Sequence, residues 1–258
     1  MTIVVAYKWA ANPQEASVGA DGTVDWSRAK AGVSEYDPVA IELGRQLADA
    51  TAGELVGVTV GAKDAGSPLA RKAALSRGFD RAVVLADDAM AGLGSAETGA
   101  YLAALVRRIG SVDVVLTGDS SVDVGAKLVP NALAGALGWP ILSEVRSVTG
   151  TPGDLTVERA HAGGSQVLSV SGPVVLSVAT DAVLPRVPGM KDILAAAKKP
   201  VEEVTAADLD VPAPAATLEV TAARRPQLKA RKGEIIDGSD AAAAAAQLVA
   251  ALRAAGAL

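Results

Sequence analysis

The 258-residue chain contains no cysteine, one histidine and few aromatic residues. The lack of cysteine excludes disulfides, thiolate metal sites and cysteine nucleophiles, and a single histidine cannot assemble a metal site. Because aromatic residues make up only 3% of a sequence that is 50% hydrophobic, aliphatic side chains must fill the core. This composition favours helices packed on a valine-rich sheet. We predict neither catalytic residues nor a metal site in the chain.

The sequence also argues against nucleic acid and against a membrane as a partner. The formal net charge of −5 argues against nucleic acid, because neutralising phosphates needs clustered lysine and arginine. The one basic run, residues 224–232, is expected to be solvated or to pair with an acidic partner face. The N-terminal apolar run is too short for a signal peptide, and no later run approaches transmembrane length. We therefore predict a cytoplasmic protein without membrane insertion.

Apolar β-branched runs alternate with segments of helical periodicity. The runs predict strands at 2–8, 54–61, 81–86 and 112–118, and the periodic segments predict helices from Asp37, at 67–78 and at 94–110. Asp37 is predicted as an N-cap, and Asp21-Gly22 predicts a hairpin inserted after the first strand. Later strands without intervening helices predict an antiparallel extension. The fold class is thus α/β, a doubly wound, mostly parallel and Rossmann-like sheet.

The composition changes near residue 200. Residues 1–200 form the predicted α/β domain, whereas residues 201–258 are rich in alanine, proline and charge and end in a predicted capped helix. Such a tail cannot bury much surface against itself. We expect a C-terminal arm that is either disordered or wrapped around a partner.

The stretch TGDSSVDVGAKLVPNALAGALGWP, residues 117–140, joins the fourth predicted strand to a helix. Ligands of doubly wound sheets bind beyond the carboxyl ends of the strands, where the strand order reverses. If strands one and four are neighbours, the turn after Tyr7 and the 117–126 loop share one crevice. The small residues of this loop would let main-chain N–H groups approach an anion, and the helix dipole would favour it. A phosphate or pyrophosphate is the predicted ligand.

Two acidic residues complicate that prediction. Asp119 and Asp123 would repel a phosphate unless they face ribose, adenine or main-chain N–H groups, with Lys127 as a compensating charge. Loops of glycine, serine and aspartate between a strand and a helix are also common as plain turns. Since neither a Walker nor a G-x-G-x-x-G pattern is present, the loop alone leaves both interpretations open.

Four segments resemble one family in order and separation. They are TIVVAYK with the hairpin and SEYDPVAIE; GVTVG with RKAALSRGFDRAVVL; the 117–140 stretch; and VATDAVLPRVPGMKDILAAAKKPVEEVTAADL. Together they resemble the β subunit of electron transfer flavoproteins, and most closely the Fix-type branch associated with carnitine and crotonobetaine reduction. The string MKDILAAAKKP is the most specific of them.

The resemblance implies an electron carrier and not an enzyme. Family members are heterodimers with an α subunit, in which FAD passes electrons between an acyl-CoA-type dehydrogenase or reductase and a downstream acceptor. The β subunit holds AMP in housekeeping members and a second FAD in electron-bifurcating ones, and the resemblance leaves open which applies. A flavin brings its own redox chemistry, so the protein needs to supply shape, dipoles and tuning of its potential.

The resemblance also implies a set of site residues. Those expected to bind the cofactor are Ala6, Tyr7, Ser34, Tyr36, Asp37, Val60, Gly118, Asp119, Ser120, Ser121, Val122, Asp123, Gly125, Ala126, Lys127, Leu128 and Val129. The chain departs from the family at Ala126, Lys127 and Leu128, where relatives commonly direct threonine, glutamine or asparagine side chains toward the phosphates. Main-chain contacts should therefore dominate, with Lys127 as a point charge.

The segment PRVPGMKDILAAAKKP resembles the loop by which these proteins dock on dehydrogenases. Met190, Lys191 and Ile193 are the predicted docking residues, with Met190 as the apolar anchor. The alternative is that Met190 and Ile193 are core residues of a short helix. Two other functions remain alternatives for the whole chain: a stand-alone adenine-nucleotide sensor of the universal-stress type, and an adenine-nucleotide hydrolase using Asp119 and Asp123.

Overall fold

The computed structural model describes residues 1–212, 221, 230 and 232–258. The chain forms two compact units, Met1–Ala222 and Ala223–Leu258. The first unit is built on one nine-stranded sheet. Its strands are β1 (Thr2–Ala6), β2 (Glu54–Gly61), β3 (Arg81–Ala86), β4 (Val114–Gly118), β5 (Ile141–Thr151), β6 (Asp154–His161), β7 (Gly164–Val170), β8 (Val174–Val178) and β9 (Val201–Val204).

The spatial order of the strands is β7-β6-β5-β8-β4-β1-β2-β3-β9. Every neighbouring pair from β5 to β9 in this order is parallel, whereas β6 runs antiparallel to both β5 and β7. This arrangement confirms the predicted doubly wound, Rossmann-like sheet with an antiparallel extension. The sequence pattern did not predict β9, which carries the sheet four residues past the predicted end of the α/β region.

Helices cover both faces of the sheet. The first unit contains α1 (Asp37–Thr51), α2 (Pro68–Leu75), α3 (Ser95–Ile109), α4 (Val129–Leu137) and α5 (Met190–Ala196). Residues of α1, α2 and α5 belong to one apolar core, and residues of α3 and α4 belong to the other. Along β1, Ile3 and Val5 face the first core while Val4 and Ala6 face the second. The strands are uninterrupted apolar runs because both of their faces are buried.

The strand order reverses between β1 and β4. Chain order proceeds from β1 through β2 to β3 on one side, and from β4 to β8 on the other. Strands β1 and β4 pair directly, with Ala6 opposite Thr117. The predicted neighbour relation of the first and fourth strands is thus confirmed, and their carboxyl ends meet at one edge of the sheet.

An insertion connects β1 to α1. In it Ser17–Val18 pairs with Val24–Asp25, which confirms the predicted hairpin around Asp21-Gly22. A second small sheet pairs Trp9–Ala11 with Ala31–Val33 and returns the chain to the carboxyl end of β1.

The second unit contains helix α6 (Ala241–Ala254). Asp240 caps it by accepting hydrogen bonds from the N–H groups of Ala242 and Ala243, at 2.9 and 3.2 Å, so the predicted capped helix is confirmed. Most of the basic run 224–232 lies outside the described residues. None of the helices in the described ranges is both long and apolar enough to cross a membrane.

Candidate functional site

The carboxyl ends of β1 and β4 meet the N-terminus of α1. We call this region the switch-point crevice and define it by Lys8, Ser34, Asp37, Gly118 and the 119–128 loop. Most predicted cofactor-binding residues lie here, which follows from the pairing of β1 with β4. Its geometry is set by hydrogen bonds between segments far apart in the sequence.

Asp37 is the buried centre of the crevice, with 5% of its surface exposed. Its predicted role as an N-cap is wrong, because α1 begins at Asp37 itself and Tyr36 occupies the cap position without a side-chain cap. The physical reason is that its carboxylate accepts the Lys8 N–H across the crevice, at 2.7 Å, and also hydrogen-bonds the Gly118 main chain. Burial raises the pKa of Asp37 to about 7, against the opposing influence of Lys8.

Gly118 ends β4 in contact with the start of α1. A Cβ atom at this position would lie 2.7 Å from Asp37 Oδ1 and 2.9 Å from the carbonyl carbon and oxygen of Tyr36. These distances are shorter than ordinary van der Waals contact, so no larger residue fits unless α1 moves. Gly118 therefore fixes the distance between β4 and the Asp37 carboxylate.

Ser34 connects the insertion to the 119–128 loop. It is 1% exposed, its N–H donates to the Lys8 carbonyl at 2.9 Å, and its Oγ accepts the Val122 N–H at 3.3 Å. Its carbonyl accepts the Asp37 N–H at 2.9 Å. The main chain of Ser34 thus connects the end of β1 to the start of α1, and its hydroxyl connects both to the loop.

Each acidic residue of the loop has a lysine partner. Lys8 Nζ lies 2.7 Å from Asp123 Oδ2, and Lys127 Nζ lies 2.7 Å from Asp119 Oδ2. The hydrogen bond from Lys127 to Asp119 raises the pKa of this lysine. Burial opposes ionisation of Asp123, but hydrogen bonding and charge from Lys8 hold the pKa of Asp123 below its usual value. The two carboxylates that seemed unsuited to a phosphate site are therefore compensated.

The second half of the loop presents main-chain donors. Gly125 and Lys127 have φ values of 67° and 55°, which turn the chain sharply before α4. Within the described part of the chain, no main-chain carbonyl accepts a hydrogen bond from the N–H groups of residues 126–129. These N–H groups lie at the positive end of the α4 dipole, the arrangement that suits an anion. The residues present fit the phosphate of a nucleotide.

Two side chains near the loop have buried oxygen atoms without partners. Thr117 Oγ1 and Asp119 Oδ1 form no hydrogen bond with any described residue. Burying an acceptor or hydroxyl without a partner costs about 1–3 kcal/mol, so such atoms are candidates to meet a ligand. Thr117, like Lys8, was not among the predicted site residues. Their position in the sequence could have identified both residues, since each adjoins a predicted site residue at the end of a strand.

The other predicted residues divide between the two faces of the sheet. Ala6 and Val60 contribute to the core on the α3 and α4 side. Tyr7 points to the other side, where its ring centroid lies 5.5 Å from that of Phe79, and burial raises the pKa of its phenol above the ordinary range. Tyr36 is half-buried and contacts Gly118 through its main chain. The remaining predicted residues, Ser120, Ser121, Gly125, Ala126, Leu128 and Val129, lie in the loop or at the start of α4 and are half-buried or exposed.

Two cavities among the described residues are lined mainly by other parts of the chain. One of about 190 Å³ lies between the insertion and Val122. The other, of about 560 Å³, is lined by Leu194, Ala195, Lys198, Lys199 and Pro200. The hydrogen-bond geometry, rather than cavity size, therefore identifies the switch-point crevice as the candidate site.

Residues 184–194, which we call the apolar segment, expose large hydrophobic side chains. Leu184, Val187, Met190 and Leu194 are between 63% and 91% exposed, so Met190 is not a core residue. Lys191 is exposed and Ile193 is half-buried. The Arg186 guanidinium binds Glu42 of α1 through two hydrogen bonds of 2.6 and 3.0 Å, and these bonds hold the pKa of Glu42 below its usual value.

The segment is also fixed at its far end. Beyond α5, the Lys199 ammonium donates to the carbonyls of Leu75 and Phe79, at 3.1 and 2.6 Å. Arg186 and Lys199 thus hold the segment and the chain beyond it against the fold, while the large apolar side chains of the segment remain exposed. Such exposed, anchored apolar surface is typical of a site that another molecule covers.

A family model for the electron transfer flavoprotein domain matches residues 21–209, well over half of the chain. The matched range begins in the hairpin and includes α1, the 119–128 loop, the apolar segment and β9. It thus contains most of the switch-point crevice. The chain belongs to the electron transfer flavoprotein domain family.

Proposed function

We propose that the chain is the β subunit of a heterodimeric electron transfer flavoprotein of the Fix type. In this role it joins an α subunit, binds an adenine nucleotide at the switch-point crevice, and helps to pass electrons through FAD between a dehydrogenase or reductase and a downstream acceptor. Membership of the family supports the role as an electron carrier. The finer assignment is supported by the crevice and the apolar segment, which offer two separate binding surfaces.

The observation that carries the proposal is the set of main-chain N–H groups at residues 126–129, just before and at the start of α4, that have no main-chain acceptor among the described residues. They would hold the phosphate of AMP, or one phosphate of a second FAD. Thr117 Oγ1 and Asp119 Oδ1, which lack partners among the described residues, would meet polar groups of the ribose or base. FAD would supply the redox chemistry when bound, while this chain would orient the nucleotide and bind the partners.

The apolar segment would dock the electron donor or acceptor. Met190 would be the protruding anchor, with Lys191 and Ile193 beside it, because an exposed flexible thioether adapts to more than one partner surface. The C-terminal arm, from beyond β9 to residue 258, would wrap the α subunit. Neither assignment requires a catalytic residue in this chain.

Co-expression with an α subunit of the family tests the proposal. The purified complex should be yellow and should contain nucleotide, and counting FAD and AMP per heterodimer distinguishes the two forms of the site. Two FAD would indicate a second flavin in this subunit, whereas one FAD and one AMP would indicate simple transfer. A colourless, nucleotide-free pair would overturn the proposal, and a monomer that binds ATP would favour the universal-stress type of sensor.

A further inference from the structure

We propose that Lys8 is the residue that makes the 119–128 loop acceptable to a phosphate, because it neutralises Asp123 from outside the loop. Lys8 is then a positioning residue that sets the preference for phosphorylated over unphosphorylated ligands. This inference rests on the proposed nucleotide site and adds to it a residue that determines ligand charge.

The main chain of Lys8 is fixed on both sides. Its N–H donates to Asp37 Oδ2 at 2.7 Å, and its carbonyl accepts the Ser34 N–H at 2.9 Å. The residue directly follows the buried end of β1 and the core residue Tyr7. Its side chain therefore starts from a rigid point of the sheet and not from a mobile turn.

The side chain of Lys8 reaches the loop across the crevice. Its ammonium lies 2.9 Å from Asp123 Oδ1 and 2.7 Å from Oδ2, and the two residues are 115 positions apart. Asp123 Oδ1 also accepts the Val124 N–H at 2.9 Å. The ion pair thus compensates Asp123 and holds the turn that precedes the free N–H groups.

The other ion pair of the loop, between Lys127 and Asp119, differs in the position of its lysine. Lys127 belongs to the loop itself, and 59% of its side chain is exposed, so it moves with the loop that it would need to hold. The Lys8 side chain, by contrast, is 41% exposed and starts outside the loop, just beyond β1. Lys8 is therefore the lysine that connects an acidic residue of the loop to the end of β1.

Removing Lys8 would leave a half-buried carboxylate without compensation close to the proposed phosphate position. An unpaired negative charge disfavours a dianionic ligand, while a neutral ligand of the same shape is little affected. The comparison of AMP with adenosine isolates this effect. A residue with only a structural role would change the affinity for both ligands equally.

Calorimetric titration of the full-length chain with AMP and with adenosine tests the inference, using Lys8→Met, Asp123→Asn and the double variant. We expect Lys8→Met to lower the AMP-to-adenosine affinity ratio by roughly tenfold, Asp123→Asn to raise it, and the double variant to return it to the parental value. Lys63→Met, which removes an exposed ion pair with Asp88 of 2.8 Å, is the matched control and should leave the ratio unchanged. Raising the salt concentration should reduce all the differences.

The outcomes separate the inference from the proposed function. A parent that binds neither ligand would overturn the nucleotide site and this inference together. A parent that binds AMP, with the same affinity ratio in Lys8→Met and Asp123→Asn, would overturn the inference alone. If Lys8→Met fails to fold, the opposite shift expected from Asp123→Asn decides the question.

Discussion

The switch-point crevice and the apolar segment differ in how far the chain itself pairs or covers their side chains. In the crevice, Asp37, Asp119 and Asp123 each receive a hydrogen bond or an ion pair from the chain's own main chain or lysines. In the apolar segment, Met190 and its neighbours receive almost no cover from the chain. The crevice has its charges balanced in advance, whereas the segment leaves its hydrophobic surface for another molecule.

The two surfaces should therefore respond differently to a ligand. A nucleotide entering the crevice meets a rigid set of groups whose positions depend on close contacts, so small changes there should affect folding and binding together. A partner covering the apolar segment meets side chains that contribute little to the fold.

Gly118→Ala should be the most damaging change. The added methyl group would overlap Asp37 Oδ1 and the Tyr36 main chain, and overpacking of this kind costs about 1–3 kcal/mol. We expect a lower free energy of unfolding in urea titrations together with loss of nucleotide binding. The matched control is Gly135→Ala in α4, where a Cβ atom meets nothing within 4 Å and alanine should stabilise the helix by about 0.5–1 kcal/mol. A harmless Gly118→Ala variant would mean that the crevice is not tightly packed.

Asp37 should make the stability of the protein depend on pH. Because its pKa is raised from 3.8 to about 7, the folded state binds a proton that the unfolded state releases. The stability from this group is then fully present below about pH 4 and is lost progressively as the pH rises through 7. We expect Asp37→Asn to flatten this decrease in urea titrations between pH 4 and pH 8.

The control for Asp37 is its neighbour Asp123. The pKa of Asp123 is lowered, because the hydrogen bond and charge of Lys8 outweigh burial, so its contribution is present above pH 4 and is lost below that. Lys8, Asp123 and Arg77 are charged groups that act on Asp37 or respond to it. Asp123→Asn should therefore leave the downward slope between pH 4 and pH 8 in place. A parent whose stability is constant over this range would contradict the buried, protonated state of Asp37.

Arg186→Met should loosen the apolar segment. It leaves the buried residue Glu42 without the two hydrogen bonds from the Arg186 guanidinium, while the one from the Arg186 main-chain N–H remains. Because the arginine itself is 44% exposed, water offsets part of the loss, and we expect about 1 kcal/mol. Limited proteolysis should cut faster within residues 184–194. Arg146→Met, which removes the exposed pair with Asp181, should change neither quantity.

The sequence predicted much of the fold but only part of the site. Runs of β-branched residues marked β1 to β4, since both faces of those strands are buried. Strand β9 was missed because its central residues are glutamates, which form ion pairs with Arg108 and Arg71 at the sheet edge instead of entering a core. Charged residues at an edge leave no apolar pattern to detect.

The local sequence pattern could not predict which groups pair with each other in the crevice. Asp37 has the sequence context of an N-cap, but its acceptor role depends on Lys8 and Gly118, which lie 29 and 81 positions away. Lys8 itself looks like an ordinary end of a strand until β1 and β4 are seen to pair. The 119–128 loop could be placed from topology alone, whereas the partner of Asp123 depends on the pairing of β1 with β4 in the folded chain.

Met190→Ala should have the smallest effect on stability and a selective effect on function. Since Met190 is 72% exposed, its truncation should change the free energy of unfolding by less than about 0.5 kcal/mol. If the side chain is a docking anchor, the rate of flavin reduction by the donor should fall by about tenfold, with flavin content unchanged. Val167→Ala on β7, also exposed, is the control and should alter neither stability nor rate. Equal reduction rates for Met190→Ala and its parent would leave the apolar segment without a docking role, and the contrast with the crevice would then rest on exposure alone.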